Sequence, residues 1–402
     1  MIKMVIKKLK SPRLKEFLIY LIDPFFKKKR NKLIFVIQDQ TFFSGNIRVM
    51  CEFYLSHNKD DQIFIYKDGK CQPDIRRELQ NLGIQVLDNF SFITIYHIVT
   101  AGVIFLSHNP RNIHIRRKFK NRFIINLWHG VAIKRIENIM QFIPYSKQKL
   151  LNNHAKLYDM IIASSDADRK TNARAFGVKE ELVKVTGLPR YEILKKSYFL
   201  GSVLQKEEQR IKNIKGKRKL VLYAPTFREA NISAFGQITF DEWYLLDKFA
   251  EQNNILIGLR PHPYDNFNLF PIITKNKNFY LFKNIEFTEP NLLLRYVDLL
   301  IVDFTSIWVD YLLLDRPILG FAKDYRNYLK KERGFVYNFE EIFPDIFTNN
   351  MIELLNQLSK KLSSNKVDYT YTKKILHKYD LYTNYSKLVY QEVEKLRRKI
   401  FD

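Results

Sequence analysis

The feature that most constrains this chain is an alternation. Short apolar runs of four to seven residues are separated by longer stretches whose apolar residues recur at helical spacing. Seven such runs lie at 32–38, 62–66, 84–87, 102–107, 122–128, 160–164 and 183–186, each bounded by Gly, Asp, Asn or Ser. That pattern predicts a parallel β-sheet with helices on both faces. Residues 195–218 are polar and basic, without a strand signal, and then the alternation restarts at 219–224, 255–260, 279–282, 299–303 and 317–321. Residues 351–399 read as mainly helical. The prediction is an α/β chain of two Rossmann-like domains, 33–195 and 219–402, joined by a helical linker at 196–218, with a ligand cleft between them.

Size agrees with two cores. The chain has 402 residues, 46% of them hydrophobic, and single cores stop growing near about 250–300 residues. Bulk disorder is excluded by the same composition. Two cysteines, Cys51 and Cys71, exclude a disulfide framework and a four-cysteine zinc site. They read as small buried side chains in a reducing compartment. Neither half carries a GxGxxG, which disfavours a dinucleotide oxidoreductase. No acidic cluster has metal-ligand spacing, so no metal site is assigned, and Mg²⁺ on a bound phosphate is left open. No Ser–His–Asp or Cys–His arrangement stands out either.

Charge restricts the partners. With 67 Lys and Arg against 42 Asp and Glu, the formal charge is +25, which draws the chain toward polyanions. Residues 1–32 concentrate it: eleven Lys or Arg stand against Glu16 and Asp23. Between the basic flanks Leu14, Phe17, Leu18, Leu21, Ile22, Phe25 and Phe26 form one apolar stripe. This favours an in-plane membrane helix held by anionic lipid, at about 1 kcal/mol per near-surface cation. The competing reading is an amphipathic helix packed on the first domain. Because the segment precedes the first predicted strand, the membrane reading expects it to be removable without loss of the fold. Basic residues interleaved with aromatics along a groove are absent here, which disfavours nucleic acid. No secretory signal is recognised. The most apolar stretch, 92–106, is too short to span a bilayer, so the chain is expected on or near a membrane rather than through it.

Ligands of open α/β sheets sit beyond the carboxyl ends of the strands, and four segments there carry chemistry. Trp128-His129-Gly130 places an imidazole beside a glycine that permits close backbone approach, suited to a general base or a structural role. Arg260-Pro261-His262-Pro263 holds an imidazole rigidly beside a guanidinium. Asp303-Phe304-Thr305-Ser306 caps a helix and offers hydroxyls and N–H groups to an anion. Ala224-Pro225-Thr226-Phe227-Arg228 adds a hydroxyl and a second guanidinium. Jointly they describe a basic, phosphate-seeking site.

The ordered series WHG (128–130), YDMIIASS (158–165), FGV (176–178), TGLPRYEIL (186–194), YAPTFRE (223–229), RPHP (260–263), DFTSIWVDYLLLDRPILGF (303–321) and ERGF (332–335) resembles the CDP-glycerol glycerophosphotransferase family of teichoic-acid and capsule polymer synthesis. The resemblance covers roughly 33–390. It implies a GT-B architecture, an N-terminal acceptor domain, a C-terminal domain holding a CDP-alditol, and attachment to the cytoplasmic face of the membrane. It implies His129 as the base on the acceptor hydroxyl, His262 at the pyrophosphate, and Thr305 and Ser306 at a phosphate-binding turn. Asp310 matches an acidic position in the following helix. Where the family often reads Thr-Pro-Leu before a lysine, this chain has Val131, Ala132 and Ile133 before Lys134.

The expected activity is transfer of a polyol phosphate from a CDP-linked donor to a hydroxyl of a membrane-anchored glycan or polyol-phosphate acceptor, releasing CMP. His129 and His262 are the expected catalytic residues; Thr226, Arg228, Arg260, Asp303, Thr305, Ser306 and Asp310 are expected to bind substrate. Two other readings remain open: a GT-B glycosyltransferase using a nucleotide sugar, and a non-catalytic basic protein that binds membrane or nucleic acid.

Overall fold

The computed structural model describes residues 11–38, 42–69, 71–226, 228, 233–262, 265, 268–269, 276–326, 328, 334–364 and 367–401. They form two compact units.

Unit 1 is built on a parallel sheet of β1 (Lys29–Ile37), β2 (Gln62–Lys67), β3 (Gln85–Leu87), β4 (Ala101–Leu106), β5 (Phe123–Asn126), β6 (Met160–Ala163) and β7 (Val183–Val185). Their order is β3-β2-β1-β4-β5-β6-β7. Central strands read as unbroken apolar runs because helices cover both faces. All six residues of β4 are buried, as are Leu33 to Ile37 of β1. Sequence order reverses direction between β1 and β4, so unit 1 has its topological switch point there.

Unit 2 repeats the plan with β8 (Lys219–Tyr223), β9 (Ile255–Leu259), β10 (Phe279–Leu281), β11 (Leu299–Val302), β12 (Ile318–Phe321) and β13 (Phe347–Thr348), ordered β10-β9-β8-β11-β12-β13. Its switch point lies between β8 and β11. The edge strand β13 escaped the sequence reading because two residues carry no periodicity.

The division of the chain is less simple than two halves and a linker. Unit 1 takes the residues up to Gly130, then Ile136–Glu192, then those from His377 onward; unit 2 takes Val131–Arg135 and Ile193–Leu376. The helix Tyr385–Phe401, expected with the second domain, therefore packs on the first. Arg397 on this helix grips Asp61 with both Nη atoms, at 3.1 and 2.7 Å. Gly187 explains part of the fit. Its φ is +70°, and a Cβ there would lie 2.3 Å from the Tyr385 ring, so only glycine admits that aromatic. The segment 131–135 leaves unit 1 to pair with unit 2, where Lys134 bridges Phe335 and the Arg135 N–H donates to the Gly334 carbonyl at 3.0 Å.

The N-terminal helix Pro12–Ile22 is docked rather than detached. Lys15, Glu16 and Ile19 are its buried residues. Lys15 pairs with Asp68 at 2.5 Å, and Arg116 grips Glu16. Asp23 just beyond it is buried against Arg122 and Lys28. Ile19, which lay outside the expected stripe, and Ile22, which belongs to it, supply the apolar contact, while Phe17, Leu21 and Phe25 of the stripe face outward. Residues 1–10, which hold four of the eleven cations of that segment, lie outside the described residues. Among the described residues no helix is long and apolar enough to cross a membrane. Cys51 and Cys71 are both buried free thiols.

Candidate active site

In unit 1 the chain leaves β5 and turns sharply. Trp128 adopts φ +47° and Gly130 φ +153°. Two asparagines and an arginine fix this turn. The Asn126 side chain accepts from the Trp128 N–H at 2.9 Å and donates to the His108 carbonyl at 2.9 Å. Buried Asn46 donates to the Leu127 and Trp128 carbonyls at 2.8 and 3.1 Å. Arg190, from the TGLPRYEIL segment, donates to the His129 carbonyl. A Cβ on Gly130 would stand 3.0 Å from the Arg190 guanidinium, so the glycine is needed both for its φ and for that approach.

The turn presents His129 with a defined tautomer. Nδ1 lies 2.9 Å from the Ser107 carbonyl, which can only accept, so Nδ1 carries the proton and Nε2 the lone pair. The ring is flanked by Trp128 and by His108, whose ring stacks on it at 4.3 Å and 18°. Protein crowded around the imidazole lowers its pKa, and the Arg190 charge lowers it further, while the Ser107 bond works the other way. Since part of the ring surface is open, the direction is what matters: His129 is neutral at pH 7 and able to accept a proton. His108 is held down to about 3, by burial first and then by His129.

In unit 2 the expected residues follow three adjacent strands. Thr226 and Arg228 follow β8, Arg260 and His262 follow β9, and Asp303 to Ser306 follow β11. Thr226 and Asp303 thus flank the switch point of this sheet. Asp303 organises the turn: it accepts from the Thr226 N–H at 2.8 Å and the Thr305 N–H at 3.2 Å. Ser306 occupies the N-cap of the short helix Ile307–Tyr311, but its side chain makes no cap bond, so its hydroxyl is not consumed by the helix as expected. Asp310 is buried within that helix. Pro263 lies outside the described residues, as does Phe227.

Both expected guanidiniums turn inward. Arg228 donates to Asp303 at 2.7 Å and to both oxygens of Asp324 at 2.7 and 2.9 Å. Burial opposes its charge, but the two carboxylates outweigh that and hold its pKa above the ordinary range. Arg260 is buried and donates to the Phe287 carbonyl at 3.0 Å; burial lowers its pKa to about 10, with Glu207 and Glu289 opposing. Arg228 is thus held as a brace between two carboxylates, whereas Arg260 keeps a buried Nη1 without a hydrogen-bond partner.

The cation at this cluster is Lys134, which the sequence reading noted only as a motif position. Its Nζ lies 3.3 Å from the Thr226 hydroxyl and 3.3 Å from the Tyr328 hydroxyl. His262 is half-buried, and burial together with the Lys134 charge lowers its pKa to about 4, with Asp265 opposing. It is therefore a neutral imidazole that can offer an N–H, not a charge. Among the described residues no group of His, Cys, Asp or Glu is arranged to hold a metal.

Comparison with known proteins places these residues in context. A family profile described as CDP-Glycerol:Poly(glycerophosphate) glycerophosphotransferase matches residues 18–395. The chain is 26% identical over 341 residues to a teichoic acid ribitol-phosphate polymerase, TarL, of Staphylococcus aureus, covering 84% of this chain and 58% of that protein. It is 28% identical over 318 residues to a teichoic acid poly(glycerol phosphate) polymerase of Bacillus spizizenii, covering 75% and 76%. The chain thus spans little more than half the length of the first of these relatives. A solved structure of the wall teichoic acid polymerase TagF, a variant soaked with CDPG, superposes with a TM-score of 0.78 at 19% identity, over 100% of this chain and 97% of that one. The likeness shows the same GT-B-like α/β fold.

Proposed function

The chain belongs to the CDP-glycerol:poly(glycerophosphate) glycerophosphotransferase family, and from that premise we propose that it transfers a polyol phosphate from a CDP-alditol to a hydroxyl of a polyol-phosphate or glycan acceptor. The observation that carries the mechanism is the 2.9 Å contact between His129 Nδ1 and the Ser107 carbonyl. It leaves Nε2 as the base.

An acceptor hydroxyl gives its proton to Nε2 and attacks the phosphorus that bears the alditol. A new P–O bond forms there, the bridging P–O bond of the pyrophosphate breaks, and CMP leaves with the bridging oxygen. Positioning and charge neutralisation supply most of the rate in such a reaction. On unit 2 the Lys134 ammonium, the His262 N–H and the Thr305 and Ser306 hydroxyls receive the negative charge. Asp303 and Arg228 position these groups, and Arg260 has a buried Nη1 left to offer to a phosphate oxygen.

The outward Phe17, Leu21 and Phe25 of the N-terminal helix, beside exposed Phe92 and Ile93, support attachment to an anionic membrane surface. Pelleting with anionic and with neutral vesicles tests it; equal pelleting with both would refute an anionic preference.

The activity is tested by incubation with CDP-glycerol, CDP-ribitol and nucleotide sugars side by side, followed by phosphorus NMR. A new phosphodiester with a CDP-alditol is expected. A product only from a nucleotide sugar, with no new phosphodiester, would overturn the reading.

A further inference from the structure

Two neighbouring cavities of unit 1 share lining residues, and one of them reaches His108, the ring that stacks on His129. The inner one, about 130 Å³, is lined by His108, which stacks on His129, and by Lys147, Arg111 and His154. The outer one, about 640 Å³, shares Arg111, Leu150 and His154 with it and continues along Arg116, Arg117, Lys118 and Lys156 to Tyr20 of the N-terminal helix. Taken together they form a trench from His108, next to the base, to the helix whose outward face is apolar.

The lining of the trench is strongly one-sided in charge. Six cations, Arg111, Arg116, Arg117, Lys118, Lys147 and Lys156, stand against the carboxylates Glu16 and Glu137. Glu16 is gripped by Arg116, with Arg111 at 3.7 Å, and Lys118 pairs with Asp159 at 2.6 Å, so part of this charge is offset and Arg117, Lys147 and Lys156 carry most of what faces a ligand. Arg117 lies over the Tyr20 ring at 4.3 Å, which keeps its stem in place and its donors at the wall. The charges are spaced along a track rather than gathered on one point. A single phosphate needs one cluster; a ligand with phosphates at intervals needs a row.

We propose that this trench binds the acceptor as an extended chain of phosphodiester units, with the terminal hydroxyl delivered past His108 to His129 and the older units running out toward the N-terminal helix. The inference rests on the reading of the chain as a transferase acting on a polyol-phosphate acceptor, and adds which residues of this chain recognise that acceptor and by what chemistry. A recessed lining that ends at His108, against the catalytic imidazole, fits a threaded chain better than a flat lipid surface. Arg117, Lys147 and Lys156 then act as specificity residues: they favour an acceptor that already carries phosphates over a neutral glycan.

The test uses the full chain and the triple variant Arg117→Glu, Lys147→Glu, Lys156→Glu, with Arg117→Lys, Lys147→Arg, Lys156→Arg as the charge-conserving control. The probes are fluorescently end-labelled, water-soluble oligomers of glycerol phosphate and of ribitol phosphate, without lipid, read by anisotropy in the absence of donor. The reversed variant should bind at least one oligomer about tenfold or more weakly than the native chain at low salt, since each reversed exposed contact is modest alone. The control should bind like the native chain, and circular dichroism should be the same for all three. Equal oligomer affinity in the native and reversed chains overturns the proposal. So does loss of anionic-vesicle pelleting with oligomer affinity intact, because the cations would then serve the lipid surface. The transferase reading is scored separately, by CMP release and phosphorus NMR with the native chain. Oligomer binding without product would defeat that reading and leave the trench standing; product formation with unchanged oligomer affinity would do the reverse.

Discussion

Asp23 holds Arg122 with both carboxylate oxygens, each at 2.7 Å, and both side chains are almost wholly buried. Lys28 adds a third charge at 3.1 Å, and its own pKa is lowered, by burial first and then by Arg122. The segment ahead of the first strand therefore holds a buried cation of the sheet in place. Asp23→Ala should cost about 3–5 kcal/mol, the usual penalty for stranding a buried charge, read as a lower urea midpoint. Deletion of residues 1–31 should do at least as much, contrary to the expectation from sequence that the segment is dispensable. An unchanged midpoint in both would show that Arg122 finds another partner.

His129→Ala should lower kcat by about 10²–10⁴, the range for a positioned general base, with the thermal midpoint nearly unchanged. Retention of a third or more of native turnover would make His129 structural.

The pH profile follows from the same ring. A base works in its neutral form, and the crowding protein and Arg190 hold the His129 pKa below its ordinary value. Activity should therefore be full at pH 7 and decline only as the pH falls well below 6.5. Arg190→Gln removes one cause of the depression and should move the acid limb upward. An acid limb already at or above 6.5 in the native enzyme would contradict the assignment.

Lys134 and Arg228 should separate cleanly. Lys134→Ala should raise the donor KM or lower kcat by about tenfold, as expected for a charge-assisted contact to phosphate, while stability changes little. Arg228→Ala should instead destabilise by about 3–5 kcal/mol, because Asp303 and Asp324 lose their shared cation. The reverse pattern would exchange their roles.

Acid should also weaken the fold. His108 is held at about 3 and His154 at about 4, in each case chiefly by burial. For a histidine whose folded pKa is depressed, the unfolded chain takes up protons first. Stability is then full above about 6.5 and falls as the pH drops toward the folded pKa, by at most about 1.4 kcal/mol per pH unit for each ring. Urea midpoints at pH 7 and 5 should differ, and His108→Phe should reduce the difference.

The strands were legible because a buried parallel strand is an apolar run with punctuation, and twelve runs of that kind appear. His129, His262 and the 303–306 turn were legible for a related reason: each is the first polar matter after such a run. His108 obeys the same rule after β4, and applying it evenly would have found it. The inward turn of Arg228 was not legible because its partners are distant in sequence: Asp324 is 96 residues away and Asp303 is 75. Local sequence shows a guanidinium but not the carboxylate waiting for it. The helix Tyr385–Phe401 was assigned to the wrong unit on similar grounds, since periodicity reveals an apolar face and says nothing of which sheet it will cover. Lys134 hid because it has no strand run immediately before it; the turn at 128–130 intervenes.

The way the last helix returns to unit 1 sets a timetable for synthesis. Between Glu192 and His377 the ribosome makes 184 residues, the rest of unit 2, which at ~5–20 residues per second takes roughly 10–40 s. Throughout that interval Asp61 lacks Arg397, 336 residues away, and Gly187 lacks the Tyr385 ring. The sheet that forms first in the chain is thus completed last, and a nascent unit 1 stands open while unit 2 folds behind it. A stalled or prematurely ended translation product would expose Phe53 and Tyr54, which Tyr390 otherwise covers, and so would be the form that holdase chaperones meet.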